Sequence, residues 1–379
     1  MKTLLLTGST GAVGQVVVPV LKKRGYKIVY LARGKGGLNV RERVRALLGN
    51  CLTPEDICVE GDIIGTIPMD RLVWRGKIDA VLHCAGSISF EGSKADETWK
   101  VNAEGTENLL RLAAELEIPN FHFVSSVYVA GGAERLTETD IIGGKNNNPY
   151  EESKLAAEHM VRDWKCGRSC IHRMSIMVGN SLDFTTPSYN GYYGFFQGFA
   201  RLRQDLKERF AKKGSEMQNE GIYFDDERLT LPLRIKCSPS STLNLIPCDW
   251  FAETLVSLLA LGNATDGKAY HLVHPNPPRV QWIILTTLRE MGIDGVTCGE
   301  TIDKNADPPP SSLLGVLQRR LNRGLEQFQP YIEHEAVFDC SQLVRDLGER
   351  YTSPPLISEK LIAGLIEYAM KANFGREIM

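Results

Sequence analysis

Short apolar runs of strand length alternate with longer segments of helical period through the first half of the chain. Residues 2–7, Lys-Thr-Leu-Leu-Leu-Thr, read as a strand buried on both faces, as in a parallel sheet. After a glycine-rich turn, Gln15-Val-Val-Val-Pro-Val-Leu-Lys-Lys-Arg24 reads as a helix, with Pro19 as an internal kink point. Further strands are expected at 26–33, before Gly61, at 78–86, at 121–128 and within 171–179. Helices are expected at 40–48 and from Val101 to Leu116. Strand–helix alternation of this kind predicts an α/β fold around a parallel sheet. It stops between Ser181 and Ser241, where Tyr189, Tyr192, Tyr193, Phe195, Phe196 and Phe199 precede a charged helix, 201–213. Two more helices are expected, one after Pro308-Pro-Pro and an amphipathic one over 357–370.

The first turn carries Gly8, Gly11 and Gly14 in Thr7-Gly-Ser-Thr-Gly-Ala-Val-Gly14. Strand, glycine turn and helix in succession make a pyrophosphate site, because glycines let the backbone approach and the helix start offers free N–H groups. Gly8, Ser9, Thr10, Gly11, Ala12, Val13 and Gly14 are therefore candidate cofactor contacts. An acid at the end of the second strand would bind a ribose 2′-hydroxyl; this chain has Arg33, with Lys35 close behind, which favours NADP(H) over NAD(H). Asp62 is placed to accept an adenine amino group, with Ile63 beside it. Cys84, Ala85 and Gly86 end a strand in small residues where a cofactor passes, and Asn102 opens the next helix.

Downstream, Tyr150 and Lys154 lie four residues apart, on one face of a helix. A phenol ordinarily titrates near pH ~10, and an ammonium beside it is expected to lower that value and give an acid–base group for a carbonyl oxygen. Ser126, toward the C-terminal end of the 121–128 strand, is the hydroxyl expected to join them, with Ser125 as second choice.

In combination these motifs resemble an extended short-chain dehydrogenase/reductase. Thr-Gly-x-x-Gly-x-x-Gly, Gly-Asp-Ile, His-Cys-Ala-Gly, Asn-x-x-Gly-Thr-x-Asn, Ser-Ser-x-Tyr-Val and Tyr-x-x-x-Lys follow in the family's order over most of residues 1–275. The resemblance implies a Rossmann-type, doubly wound parallel sheet with a smaller, mostly helical C-terminal substrate-binding part. It implies catalysis by Ser126, Tyr150 and Lys154. Met174 and Ile176 fall in the loop that lines the nicotinamide; the family usually has Arg-Pro where this chain has Arg173-Met174. Ser-Ser-Val-Tyr-Val and Asn244-Leu-Ile-Pro247-Cys-Asp249 look most like the thioester-reductase and fatty-acyl-CoA-reductase branch. Residues 1–180 with about 242–275 are then the NADP-binding domain, and 181–241 with about 276–379 the substrate-binding or lid part.

The expectation is an NADPH-dependent reductase of an acyl thioester, on coenzyme A or an acyl carrier protein, giving aldehyde or, after a second hydride, alcohol. Alternatives are a dehydrogenase of a free ketone or hydroxysteroid-like small molecule, a sugar-nucleotide epimerase or dehydratase, and a non-enzymatic cofactor-binding protein. The aromatic segment 189–199 is read as lid or core, and Lys212, Lys213, Arg319 and Arg320 as phosphate ligands or solvated helix faces.

Composition narrows the field further. The chain has 379 residues and a formal net charge of −2, which gives no general nucleic-acid surface. No apolar run approaches the ~18–20 residues of a membrane span, and the first strand begins at once without a signal segment. Nine scattered cysteines read as reduced thiols in a cytoplasmic protein. Cys166, Cys170 and His172 lie close together, but their alternation along a strand reads as packing, and no metal is expected.

Overall fold

The computed structural model describes residues 2–140, 146–300, 308–333 and 336–376. The chain forms two compact units, residues 1–175 with 248–275 and 338–354, and residues 176–247 with 276–337 and 355–379. Residues 338–354, expected with the C-terminal part, thus belong to the first unit.

The first unit is built on seven parallel strands: β1 (Thr3–Thr7), β2 (Lys27–Ala32), β3 (Ile57–Glu60), β4 (Ala80–His83), β5 (Asn120–Ser126), β6 (Arg168–Met174) and β7 (Lys268–Leu272). Their order, β7-β6-β5-β4-β1-β2-β3, reverses direction between β1 and β4. Such a reversal opens a crevice at the C-terminal strand ends, where ligands of open α/β sheets bind. The helices that matter are α1 (Ala12–Lys23), α2 (Val40–Leu48), α3 (Gly105–Glu115) and α4 (Pro149–Asp163). α1 runs through Pro19 as one helix. Leu5, Val29, Val81, Phe121, Phe123 and Ile171 on one sheet face pack with Leu109, Leu112 and Ala113 of α3 and Ala157 and Val161 of α4. Those alternate strand positions are the ones a sheet turns to a single face.

Two buried carboxylates tie distant segments of this unit. Glu138 accepts the backbone N–H of His271 at 2.9 Å and of Gln342 at 2.6 Å, closing segment 338–354 onto the sheet. Glu158 on α4 accepts from Arg173 of β6 at 2.8 Å, both side chains being almost wholly shielded from solvent.

The second unit is mostly helical. Its long helix Tyr192–Gln218 packs with helices Val280–Glu290, Leu313–Leu325 and Glu359–Lys371 over three-stranded and two-stranded sheets. Tyr192, Tyr193, Phe196 and Phe199 are core residues of this unit. The lid reading of the aromatic segment is therefore corrected for these four: their spacing follows the buried face of the helix, well before its kink at Lys213. Glu220, just past the long helix, accepts the backbone N–H of Leu313 at 3.1 Å and of Leu314 at 2.7 Å, fixing the start of the helix that follows. Arg320 and Arg323 on that helix, and Lys212 and Lys213, are exposed.

Candidate active site

At the end of β1 the backbone turns through Gly8 with a φ of +73°, a region that favours glycine. A Cβ there would lie 2.5 Å from the Ala85 nitrogen, so β1 and the end of β4 approach too closely for any side chain. Gly14 packs its missing Cβ against the Gly8 carbonyl and Ser9. α1 starts after Gly11 with no side-chain cap and no acid in its first turn, so the first N–H groups of the helix are left to an anion. The Ser9 hydroxyl is fully buried and has no protein partner, while Thr10 offers its carbonyl to Gln15. A free helix start, a cradle too tight for a Cβ and an orphaned hydroxyl fit a dinucleotide phosphate.

Arg33 stands at the end of β2, as the sequence indicated, but not alone. Its guanidinium donates to Asp62 at 3.1 Å. Asp62 also accepts the Ile64 N–H at 3.2 Å, so the carboxylate expected to meet an adenine is engaged by its own neighbours. Ile63 turns into the core against Gly105 and gives its carbonyl to Asn108 at 3.0 Å. The Lys35 backbone pairs with Leu38 in a small loop.

Beyond β4 the walls are fixed by Asn102, buried in a π-helical turn, Lys100–Glu104, ahead of α3. Its side chain accepts the Ser87 N–H at 2.8 Å and donates to the Ser87 carbonyl and the Ser153 hydroxyl, both at 2.9 Å. A Cβ on Gly86 would meet the Asn102 oxygen at 3.1 Å and Lys154 Nζ at 3.3 Å. Cys84 lies close enough for Lys154 to act on it, yet burial pushes its thiol up to about 12.

α4 brings Tyr150 and Lys154 to this place. Asn148 caps the helix by accepting the Glu151 N–H at 3.1 Å, and Pro149 occupies its first turn. The Tyr150 phenol hydrogen-bonds Ser126, whose oxygen also accepts the Tyr128 N–H at 3.2 Å. Lys154 donates instead to the Val124 carbonyl at 2.9 Å and sits 4.5 Å from the centre of the Phe123 ring. Burial, helped by the Glu151 charge and opposed by Ser126, pushes Tyr150 up to about 12. Burial likewise pulls Lys154 down to about 8. The expectation of a lowered phenol pKa is thus corrected. Desolvation outweighs hydrogen bonding here, and the group stands ready as a proton donor. Ser125, the second choice, is buried with an unpartnered hydroxyl.

Comparison with known proteins follows this geometry. Residues 4–189 match the NAD dependent epimerase/dehydratase family. Over that stretch the chain is similar to the extended short-chain dehydrogenase/reductases. UDP-glucose 4-epimerase of Pisum sativum is 28% identical over 164 residues, which are 42% of this chain and 47% of that protein. The Mus musculus enzyme is 30% identical over 174 residues, 43% of this chain and 49% of that one. The chain thus spans about half the length of the curated relatives it matches. Among solved structures, the terminal R domain from the myxalamid PKS-NRPS biosynthetic pathway is 22% identical with a TM-score of 0.75, covering 99% of this chain and 92% of that one. UDP-glucuronic acid 4-epimerase from Bacillus cereus in complex with NAD is 15% identical with a TM-score of 0.65, covering 99% of both. These likenesses share the fold, and the family is one of NAD(P)-dependent enzymes.

In this protein the residues on either side of the expected loop part company. Met174 ends β6 in register with Ser126, whereas Ile176 opens a short strand, Ile176–Val178, in the second unit. Arg173 and Glu158 went unnoticed in the sequence, yet their pair fixes α4 to β6; an Arg on an apolar strand fifteen residues after a helical Glu was the available signal. Cys166 is exposed, and the register of β5 and β6 brings His122 to Cys170 and His172 instead. His122 Nδ1 and His172 Nε2 face each other at 3.1 Å with ring centroids 5.3 Å apart. The rings lie nearly parallel, and the ligand atoms of His122, Cys170 and His172, all buried, stand within 4.8 Å of one another, close enough to share an ion. Among the described residues no helix is long and apolar enough to cross a membrane.

Proposed function

We propose that the protein reduces the carbonyl of an acyl thioester, carried by coenzyme A or a carrier protein, with NADPH as the reductant. The reading rests on one observation: a proton-donating Tyr150–Ser126 pair lies in a chain that resembles, over 99% of its length, the terminal R domain of a PKS-NRPS pathway. A thiolation-reductase di-domain from an archaeal non-ribosomal peptide synthetase aligns over the same 99%, with a TM-score of 0.69. The sugar-nucleotide enzymes match by sequence only over the first half.

The glycine turn and the start of α1 would hold NADPH, whose hydride would go to the carbonyl carbon. Ser126 and Tyr150 hydrogen-bond the carbonyl oxygen and stabilise the charge that gathers on it. Tyr150 gives up its phenolic proton to that oxygen, and the hemithioacetal formed collapses to aldehyde and free thiol. Lys154, held by Val124, presents its remaining N–H bonds to a ribose. Arg33 turns from Asp62 to a 2′-phosphate.

A second reading, a sugar-nucleotide epimerase, is favoured by the family match over residues 4–189. NADPH consumption measured with a panel of acyl-coenzyme A thioesters, free aldehydes, ketones and UDP-sugars separates the two. Thioester-dependent oxidation with stoichiometric thiol release is the expected result. Interconversion of UDP-glucose and UDP-galactose without net NADPH loss would overturn it.

A further inference from the structure

A chain of hydrogen bonds runs through the buried imidazole of His83 and has only one self-consistent direction. The Thr106 hydroxyl spends its single proton on the Asn102 main-chain oxygen at 2.6 Å. Toward His83 Nε2, 3.0 Å away, it can therefore only accept, so Nε2 carries the hydrogen. Nδ1 is then a lone pair, and the Thr7 hydroxyl donates to it at 2.7 Å. Thr7 in turn accepts the Ala85 N–H at 3.3 Å. Every donor and acceptor of the ring is used, and none faces water.

We propose that His83 is a positioning residue, locked as the Nε2–H tautomer, that joins the glycine turn to the π-helical turn of Asn102. One end of the chain is the Thr7–Gly8 and Ala85 backbone, where Gly8 makes its closest approach. The other end is the Asn102 carbonyl, which takes a threonine hydroxyl four residues on and so keeps its turn wide. From that turn the Asn102 side chain donates to Ser153, and Ser153 donates to the Tyr150 carbonyl at 2.9 Å. The Phe123 ring completes the link, lying 5.4 Å from the His83 ring and beneath the Lys154 ammonium. A protonated ring would put two donors where one donor and one acceptor fit. Burial and the Lys154 charge keep it neutral, holding its pKa down to about 3.

The proposal rests on the reading of Tyr150 and Lys154 as the reacting site, but its tests need no turnover. Nitrogen-15 NMR of histidine-labelled protein is expected to show Nε2 protonated and Nδ1 bare, unchanged from pH 8 to 5. The opposite tautomer, or a titrating ring, overturns the proposal. Thr106→Val removes the acceptor at Nε2, and Thr106→Ser keeps it. NADPH affinity, followed by cofactor fluorescence, is expected to fall about tenfold in T106V, the loss of one buried hydrogen bond, and to return in T106S. A T106V protein that melts earlier but binds NADPH as wild type does would show a merely structural residue. A protein inactive on thioesters that still shows this tautomer and this binding pattern refutes the thioester reading and leaves the positioning role standing.

Discussion

Lys154 and Val124 are joined by a hydrogen bond of 2.9 Å from the ammonium to a main-chain carbonyl at the end of β5. The bond places a cation beside Tyr150 while leaving the phenol to Ser126. Two groups four residues apart thus answer to two different neighbours, and their chemistry separates accordingly: one phenol held protonated, one amine eased toward neutrality.

Removing the phenolic hydroxyl tests the proton donor. Tyr150→Phe is expected to lower kcat by about 10²–10⁴, the usual range for a positioned acid, while NADPH affinity changes less than twofold. Steady-state rates and a fluorescence titration check this, and a Y150F enzyme of near-normal rate would remove Tyr150 from its role.

Lys154 makes stability depend on pH in a known direction. Its folded pKa, about 8, lies below the ordinary value of 10.5. The unfolded chain therefore binds more protons between those values, and this group's contribution to stability rises with pH across that window. Below about pH 8 the buried charge is a full cost, of order 3 kcal/mol at most for a shift of this size. Urea denaturation at pH 7.5 and 9.5 should show wild type gaining stability relative to Lys154→Met as pH rises. A difference between the two that does not change with pH contradicts the shift.

Arg33→Ala addresses the choice of cofactor. Loss of a charge-assisted contact to a 2′-phosphate is expected to weaken NADPH binding about tenfold, at roughly 1.5 kcal/mol or more, with NADH binding unchanged. Equal losses for both cofactors would reduce Arg33 to a partner of Asp62, the residue it holds here.

Glu220→Ala removes two acceptors from the start of helix Leu313–Leu325. A lost cap of this kind costs about 1–2 kcal/mol, which a denaturation curve of the purified protein should show. No change in midpoint would mean the helix start finds water instead.

The sheet was legible because its strands are short apolar runs and its helices carry caps and a 3.6-residue period; β1, the glycine turn and α1 could be read almost residue by residue. Site residues on adjoining strand ends were legible for the same reason. Pairings made by register or by folding were not. Arg33 and Asp62 meet only because β2 and β3 are neighbours, and His122 joins Cys170 and His172 only because β5 lies beside β6. The aromatic run 192–199 admits a lid or a core by period alone, and the packing of the second unit decided for core. The sign of the Tyr150 shift was out of reach too, since the spacing to Lys154 says nothing of how much water the phenol loses.

The first unit closes only when Glu138 receives the N–H groups of residues 271, 342 and 343. On a ribosome, residue 271 is made 133 residues after the carboxylate and residues 342 and 343 come 204 and 205 after it, with 176–247 synthesised before the first and 276–337 before the other two. Six of the seven strands can pair while the chain is nascent, yet the edge beside β6 stays bare until β7 emerges, and the clasp over β7 waits longer still. Long-range closure of this kind is slow and leaves an open strand edge exposed to other chains. This protein's vulnerability to aggregation is therefore concentrated in the interval of its own synthesis.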